Sequence, residues 1–356
     1  MDLWSYFSRE IAGSWHTRFN ADGSVNKEYD QGDIADDASY DLLGIYVQNE
    51  KDLSEKWDFI SGIRYSMARL DAGKVDMDGI DDNGVTRELK GNWDSLDASA
   101  RIFYRAIDDN KLNVFAGISQ GFRAPNLADT TRSGEFGAGL EAPTADLDAE
   151  HFLTWEIGTK TRTDTFTLDL TLFYTEIKDR IGKVENGVEN PTKVNLDNGY
   201  VQGVEVNFSK ELNNSLSLFG YLAWQEGSED FYELNAGGKP DVSLGEDEYP
   251  LSRIMPLTGE IGLHYKNKNK KFWTEFFVEF ADSQDRLGAN DRGNRFLNGT
   301  GTPGYTTFNI RGGLQVWKNI NLTISLENIT DKNYGIHGSG VNAPGRNLVF
   351  SLVQKI

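Results

Sequence analysis

The sequence predicts an all-β fold, an antiparallel transmembrane β-barrel with about 14 strands, and three observations lead to this prediction. Segments of alternating polarity recur along the whole chain, short and long connections alternate between them, and the chain ends in two alternating strands around a glycine-rich loop. A membrane-spanning barrel needs apolar-out, polar-in strands with short turns at one end and long loops at the other. We therefore expect residues 1–356 to form one continuous barrel domain.

The alternation is clearest in residues 166–175, where Phe166, Leu168, Leu170, Leu172 and Tyr174 share one face and polar residues dominate the other. A period of two residues is typical of a strand with two different faces. Segments of about 9–14 residues suit tilted strands that cross a bilayer. Similar alternation occurs in residues 96–105, 216–225 and 308–316.

The connections between these segments alternate in length. Short connections are expected at Lys51–Lys56, Asp108–Lys111, Arg162–Thr165, Glu211–Ser215, Asn267–Lys271 and Lys318–Asn319. Long ones are expected at Ser14–Ser39, Asp71–Asp94, Ala124–Glu150, Lys178–Gly199, Glu226–Pro256, Ser283–Thr302 and Tyr334–Arg346. A soluble sandwich, propeller or solenoid has no reason to gather its long loops at one end, and no fixed repeat is present. In an outer-membrane barrel the short turns are periplasmic and the long loops extracellular, which places the C-terminus in the periplasm.

The chain ends in a hairpin, residues 320–356, that suits barrel closure. Leu322, Ile324 and Leu326 share one phase before the glycine-rich loop. After the loop, Leu348, Phe350, Leu352 and Ile356 do the same. A C-terminal strand that is apolar on one face is what a barrel needs to close on its first strand.

Composition excludes several classes of protein. No run of 18 or more apolar residues exists, so no transmembrane helix is expected. Cysteine is absent, which removes thiolate metal and redox-cysteine functions. The 12% aromatic content suits girdles at the two membrane interfaces. Residues 1–13 carry neither a basic segment nor an apolar core of a signal peptide. We therefore expect a chain truncated at its N-terminus, and a complete, smaller barrel is the alternative.

Three motifs resemble one family. Phe122-Arg123-Ala124-Pro125 stands at the end of a predicted strand, Glu327-Asn328 precedes Asp331-Lys332-Asn333-Tyr334, and Pro344–Asn347 leads into the last strand. In this order and spacing they resemble the TonB-dependent outer-membrane receptors. The resemblance spans nearly the whole chain as the later part of the barrel.

That resemblance implies a barrel of roughly 22 strands around a plug domain. A TonB box on the plug would be pulled by TonB, with energy from ExbB-ExbD, and the barrel-assembly machinery would insert the protein among outer-membrane lipid. This chain has room for the last 14 strands only, and we expect no plug and no TonB box in it. It also ends in Ile356, where such barrels usually end in Phe or Trp.

The function implied is active transport. The extracellular loops would bind a scarce, bulky small-molecule ligand, most readily an iron chelate such as a ferric siderophore, for import to the periplasm. Alternatives are a passive porin-like channel and a receptor for cobalamin, heme or glycan. In heme receptors of the family a histidine follows the FRAP element, but no histidine lies between Arg123 and Leu147 here, and the next is His151.

An enzyme is not expected, because the chain has no HExxH, GxSxG or phosphate-loop motif. Nucleic acid is not an expected partner, because no basic stripe is present in a chain of net charge −19. We expect no cofactor and no metal site. The four histidines, His16, His151, His264 and His337, show no metal-ligand spacing.

Candidate ligand-binding residues come from the predicted loops. Arg286, Arg292 and Arg295 gather in one of them, and guanidinium groups bind carboxylates and phosphates well. Their alternative role is to form ion pairs with Asp285 and Asp291 that fold the loop.

Four further residues complete the candidates. Arg123 of the FRAP element binds an anion or the plug, or else pairs with a lumenal carboxylate. His337 binds an iron chelate, or else forms hydrogen bonds within its glycine-rich loop. Trp224 and Tyr232 stack on a ligand, or else belong to a girdle.

Overall fold

Strands make up most of the described residues, and the two helices found among them, of four residues each, lie in loops. The computed structural model describes residues 2–13, 16–29, 31–76, 86–107, 111–136, 139–184, 192–233, 244–269, 271–292, 297 and 300–354. The helices are α1 (Leu127–Thr130) and α2 (Ala289–Arg292). The strands are β1 (Asp2–Ala12), β2 (His16–Phe19), β3 (Val25–Tyr29), β4 (Asp36–Asp52), β5 (Trp57–Asp76), β6 (Thr86–Ile107), β7 (Leu112–Arg123), β8 (Gly134–Phe136), β9 (Gly139–Glu141), β10 (Glu150–Arg162), β11 (Phe166–Val184), β12 (Thr192–Asn213), β13 (Leu216–Tyr232), β14 (Glu246–Pro250), β15 (Thr258–Lys266), β16 (Phe272–Ala281), β17 (Tyr305–Trp317), β18 (Ile320–Glu327) and β19 (Asn347–Gln354).

One antiparallel sheet contains 15 of the described strands. Fourteen of them follow one another as neighbours in the order β1-β4-β5-β6-β7-β10-β11-β12-β13-β15-β16-β17-β18-β19, and β14 pairs with the far end of β13. The hairpins β2–β3 and β8–β9 lie within long connections. The predicted number of strands and the alternation of short turns with long connections are both confirmed.

Several strands run farther toward the long loops than predicted. In the ladder between β5 and β6, Asp76 pairs with Thr86, and in the ladder between β11 and β12, Val184 pairs with Thr192. The predicted loops Asp71–Asp94 and Lys178–Gly199 are therefore wrong over much of their length. Alternating polarity ends where lipid ends, whereas backbone pairing between antiparallel strands does not require it. The sequence pattern consequently marks only the lipid-facing part of each strand.

The two faces of the sheet have the polarity expected of a barrel wall. On β17, Phe308 and Ile310 are 38% and 41% exposed, whereas Thr307 and Asn309, which alternate with them, are 1% and 2% exposed. A sheet that packs in water does the opposite and buries its apolar face. The exposed apolar face is therefore the lipid-facing side, called outward below, and the polar face lines the lumen.

Aromatic side chains gather at two levels of the outward face. Trp57 and Tyr104 pack at the short-turn end, with ring centroids 4.7 Å apart. Toward the long loops, Tyr174 lies 5.9 Å from Trp155 and stacks on Tyr200 at 5.6 Å. Eight residues separate Tyr174 from the start of β11, about 27 Å along the strand. That distance suits an apolar band about 25 Å tall between two aromatic girdles.

Glycines let lumenal aromatic rings lie flat against the neighbouring strand. An ideal Cβ on Gly262 of β15 would lie 2.5 Å from Cζ of Phe219, its directly paired residue on β13. The same arrangement occurs at the cross-strand pairs Phe115–Gly158, Phe173–Gly203 and Trp273–Gly313. Each ring fills the space that a side chain on the neighbouring strand would occupy.

The two edge strands are β1 and β19. Among the described residues, β1 pairs with β4 and β19 pairs with β18, and the two edges do not pair with each other. Within the same residues, no helix has the length and apolar composition needed to cross a membrane.

Candidate functional site

Arg123 faces the lumen at the loop end of β7, where two carboxylates neutralise it. Its Nη2 lies 2.5 Å from Oδ2 of Asp129, and its Nη1 lies 3.0 Å from Oε2 of Glu150, the residue paired with it on β10. Because two acceptors already hold the guanidinium, its main local effect is to fix the chain that follows the FRAP element. This arrangement agrees with the second of the two roles expected for Arg123.

The chain after Arg123 turns into α1 through a reciprocal cap. The side chain of Asn126 accepts a hydrogen bond from the backbone of Asp129, and the side chain of Asp129 accepts one from the backbone of Asn126. Lys193 of β12 donates to the Ala128 carbonyl at 2.9 Å and to the Asp129 carboxylate at 3.1 Å. Asp129 therefore joins β7, α1 and β12 at the mouth of the lumen.

A cavity of about 700 Å³ opens into the lumen beside Arg123. Its lining includes Tyr6, Tyr40 and Tyr46, together with Arg64 of β5. Such a mixture of aromatic walls and a few oriented polar groups is typical of a ligand site.

Arg64 is paired across the β5–β6 ladder with Asp97, which also lines this cavity. Its Nε donates to Oγ of Ser66 at 2.9 Å, and it makes no ion pair with any described carboxylate. Arg64 was not among the sequence candidates. Nothing in the local pattern of β5 distinguishes it from other lumenal polar residues, so only the residues that line the cavity with it reveal its position.

His337 lies at the centre of a second group of charged residues, which joins three long connections. We call Arg253, Asp291 and His337 the loop ion cluster. Arg253 precedes β15, Asp291 belongs to α2, and His337 lies between β18 and β19. The Arg253 backbone N–H donates to Asp291 at 2.8 Å, and its Nη1 donates to the Gly338 carbonyl at 2.8 Å.

Within this cluster His337 is buried, with 1% of its side chain exposed. Its Nδ1 lies 2.9 Å from Oγ1 of Thr302, and its Nε2 lies 3.9 Å from the Asp291 carboxylate. Burial lowers the pKa of His337, Asp291 opposes that shift and Arg253 reinforces it. The imidazole is therefore neutral near pH 7 and is held between two loops. In the described part of the chain, no group of three or more His, Cys, Asp or Glu side chains is arranged to hold a metal ion.

The predicted arginine group does not converge on one point. Arg286 lies on the outer side, where its Nη1 is 2.9 Å from the Glu226 carboxylate. Arg292 places its guanidinium 5.5 Å from the ring centre of Tyr249 and donates to the Leu287 carbonyl at 3.2 Å. Arg295 lies outside the described residues. The two described arginines thus have intramolecular partners.

The two aromatic candidates lie in different environments. Trp224 is 38% exposed on the outward face of β13, in phase with Leu222. Tyr232, at the loop end of the same strand, packs against a buried group formed by Val184, Leu196, Phe231 and Ala289. Trp224 thus lies at a membrane interface, and Tyr232 lies above it among the loops.

Comparisons with known proteins give one family and several similar folds. The family described as "TonB dependent receptor-like, beta-barrel" matches residues 2–329. In sequence the chain is similar to the "Hemoglobin and hemoglobin-haptoglobin-binding protein A" of Haemophilus influenzae, with 23% identity over 308 residues that cover 78% of this chain and 27% of that protein.

In structure it is similar to the "Copper transporter OprC", with a TM-score of 0.73, 16% identity and coverage of 95% of this chain and 51% of that one. It is also similar to the siderophore receptor PiuA from Acinetobacter baumannii, with a TM-score of 0.69, 15% identity and coverage of 99% and 53%. The chain thus spans about half the length of these solved structures. At these identities the structural likeness shows the fold alone.

Proposed function

Because this chain belongs to the β-barrel family of TonB-dependent receptors, we propose that it is the barrel part of an outer-membrane active-transport receptor. Residues 1–356 form a single barrel domain and supply the last 14 strands of a barrel of about 22. The lumen holds a plug domain that belongs to the same receptor. TonB acts through the TonB box of that plug, with energy from ExbB-ExbD.

The long connections lie outside the cell and the C-terminus lies in the periplasm. All seven long connections fall at one end of the 14-strand meander, as the alternation of its turns requires. Outer-membrane barrels place short turns in the periplasm and long loops outside. The Arg123 network and the loop ion cluster both lie at the long-loop end, and under this proposal that end is the extracellular mouth.

The ligand is an anionic, bulky iron chelate such as a ferric siderophore, and the observation that carries this proposal is the cavity around Arg64. A guanidinium without an ionic partner among the described residues, within a cavity walled by three tyrosines, favours an anion with flat or aromatic groups. Arg123 holds the mouth of this cavity in place. His337 and Arg292 order the capturing loops, and Arg286, Trp224 and Tyr232 support the wall around them.

The experiment is iron uptake by cells that carry the chromosomal gene for this chain. Each of several ferric siderophores is supplied as the sole iron source, and uptake of radiolabelled iron is compared in wild-type, gene-deleted and tonB-deleted cells. Uptake lost in both deletions supports the proposal. Uptake that needs the gene but persists without TonB would favour the porin-like alternative.

Arg64→Gln tests the cavity within that assay. We expect affinity for the siderophore to fall about tenfold, because one charged hydrogen bond contributes roughly 1.5–3 kcal/mol. Arg162→Gln is the matched control, since Arg162 pairs with Asp169 at the short-turn end of the wall. Equal affinity in both variants would remove the cavity from the proposal.

Heme or a heme protein is the second candidate, because two sequence relatives are named for binding hemoglobin and hemoglobin–haptoglobin. His151 follows the FRAP element but is exposed on the outward face, with its ring 5.9 Å from that of Phe122. No described histidine lines the cavity. The test is growth on hemin as the sole iron source. Growth that is lost in the gene deletion would favour heme over a siderophore as the ligand. Growth that is retained in His151→Ala would show that His151 does not ligate it.

A further inference from the structure

A cavity of about 430 Å³ lies where β11, β12 and β13 leave the aromatic girdle on the loop side. Outward-facing polar residues from β11 to β14 line it. Each lies on the same face of the sheet as lipid-facing residues closer to the short turns, such as Leu172 and Leu222. The lining residues that carry the argument are Tyr174, Glu176, Lys178, Asn198, Tyr200 and Asp230, which we call the glycan patch.

We infer that the glycan patch binds the sugar part of an outer-leaflet glycolipid. The inference rests on the proposed extracellular side of the long loops, which sets the patch just beyond the hydrocarbon of the outer leaflet. Tyr174 and Tyr200 form its floor toward the bilayer, with ring planes 19° apart and centroids 5.6 Å apart. Paired rings of this kind offer a broad face to the C–H side of a sugar, with the hydroxyl groups of both tyrosines at the wet edge.

The polar members of the patch are free to bind a ligand. Within the described part of the chain, Glu176, Lys178, Asn198 and Asp230 form no side-chain hydrogen bond and no ion pair. They are close neighbours, because Glu176 pairs with Tyr200 and Lys178 with Asn198 across the β11–β12 ladder. Carboxylates that accept, together with an amide and an ammonium that donate, can bind several hydroxyl groups at once.

The charge of the patch selects the sugar rather than a phosphate. Glu176, Asp230 and the neighbouring Glu248 outnumber Lys178, and Glu248 accepts a hydrogen bond from Ser228 at 2.6 Å. An excess of carboxylates repels a phosphate, whereas hydroxyl groups donate hydrogen bonds to them and an amine would be attracted. The part of the glycolipid that the patch recognises is therefore a hydroxyl- or amine-bearing sugar.

The short-turn end of the same wall offers a matched control. Lys210 of β12 lies 5.9 Å above the ring of Phe166, and Tyr265 of β15 is 42% exposed on the outward face. Lys210 and Tyr265 are thus an outward lysine and an outward tyrosine, as Lys178 and Tyr174 are, but they lie at the opposite girdle. The test variant is Tyr174→Ser with Lys178→Ser, and the control variant is Tyr265→Ser with Lys210→Ser.

The experiment is native mass spectrometry of the receptor purified in mild detergent from the outer membranes of cells that produce it. We expect wild-type and control proteins to retain lipopolysaccharide and the test variant to retain about tenfold less, the effect of losing one stacked ring and one charged donor. Equal retention by all three proteins would overturn the inference.

Reconstitution in phosphatidylethanolamine vesicles, with and without lipopolysaccharide, shows whether the lipid-borne sugar is the ligand. Lipopolysaccharide should raise the thermal midpoint of the wild type and not that of the test variant. If the free oligosaccharide released from that lipid raises it equally, the site takes a soluble sugar and the inference is wrong. Iron uptake by the test variant separates the glycan-patch inference from the proposed transport function. We expect its uptake to equal that of the wild type, whether or not the variant retains lipopolysaccharide.

Discussion

The Arg253 guanidinium lies 3.1 Å from the carboxylate of Asp291, whose side chain is 2% exposed. The backbone N–H of Arg253 donates to the same carboxylate at 2.8 Å, from a residue whose φ of 64° lies in the left-handed region. A buried carboxylate held in this way fixes the approach of two connections that are far apart in sequence. The same guanidinium reaches the Gly338 carbonyl, so the loop before β19 joins them.

Arg253→Leu should therefore loosen the long-loop end of the barrel. Asp291 would lose its guanidinium partner while remaining buried, and an uncompensated buried acceptor costs about 1–3 kcal/mol. We expect faster hydrogen exchange in residues 251–257 and 286–292, with no change in the ladders below. Arg286→Leu is the control, because the Arg286–Glu226 pair is 55% and 31% exposed and such pairs contribute at most about 1 kcal/mol. Similar exchange in the two variants would contradict the role of the cluster.

Acidification should weaken the same region through His337. Its pKa is lowered on folding, so the unfolded loop binds a proton more readily than the folded one. The stability that His337 contributes is thus complete above about pH 6.5 and is lost as pH falls below that value. Thermal unfolding at pH 7.5 and pH 5 measures it. In His337→Gln the part of the pH dependence that belongs to this residue should disappear, and an identical pH response in wild type and variant would refute the assignment.

Gly262→Ala should destabilise the barrel wall. The new Cβ would meet Cζ of Phe219 at 2.5 Å and Cβ of Phe277 at 2.7 Å, and overpacking of this kind costs about 1–3 kcal/mol. Gly121→Ala is the matched control on β7, where the nearest atom to an added Cβ is 3.5 Å away. Urea-dependent unfolding in detergent distinguishes the variants. A midpoint for Gly262→Ala equal to that of the control would mean that the Phe219 ring moves aside without cost.

The sidedness of the wall can be read with single cysteines, because the chain contains none of its own. Val341, in the last long loop, is 75% exposed, and Leu53, in the first short turn, is 52% exposed. A membrane-impermeant maleimide added to intact cells should label Val341→Cys and should label Leu53→Cys only after the outer membrane is broken. The reverse pattern would place the long loops in the periplasm.

The residues that face lipid and those that face the lumen could be predicted from the sequence, because alternation along a strand is a local property. Phe308 and Ile310 follow the outward phase and Asn309 the lumenal phase, as expected. The number of strands and the parity of the connections followed from the same pattern. The ends of the strands could not be predicted in this way. The ladder between β5 and β6 continues to Asp76 and Thr86, beyond the point where lipid imposes any pattern.

The candidate site was predicted in part. The FRAP element directed attention to Arg123, and the arginine-rich loop to Arg286 and Arg292, but the partners of all three residues come from other strands or loops. Arg64 was missed because it differs from other lumenal polar residues only in the residues from distant strands that line the cavity with it. No local pattern carries that information.

The sequence by itself determined the class of fold, the direction of each strand face and the end of the barrel at which the long connections gather. Each of these depends on whether a side chain faces lipid or water, and the types and spacing of the residues reflect that. Only the tertiary structure decided that Arg253, Asp291 and His337 meet, that Arg286 lies on the outer side and that Arg64 forms no ion pair with a described carboxylate. Those contacts join residues up to 85 positions apart, and their geometry is set by the register and curvature of the whole sheet.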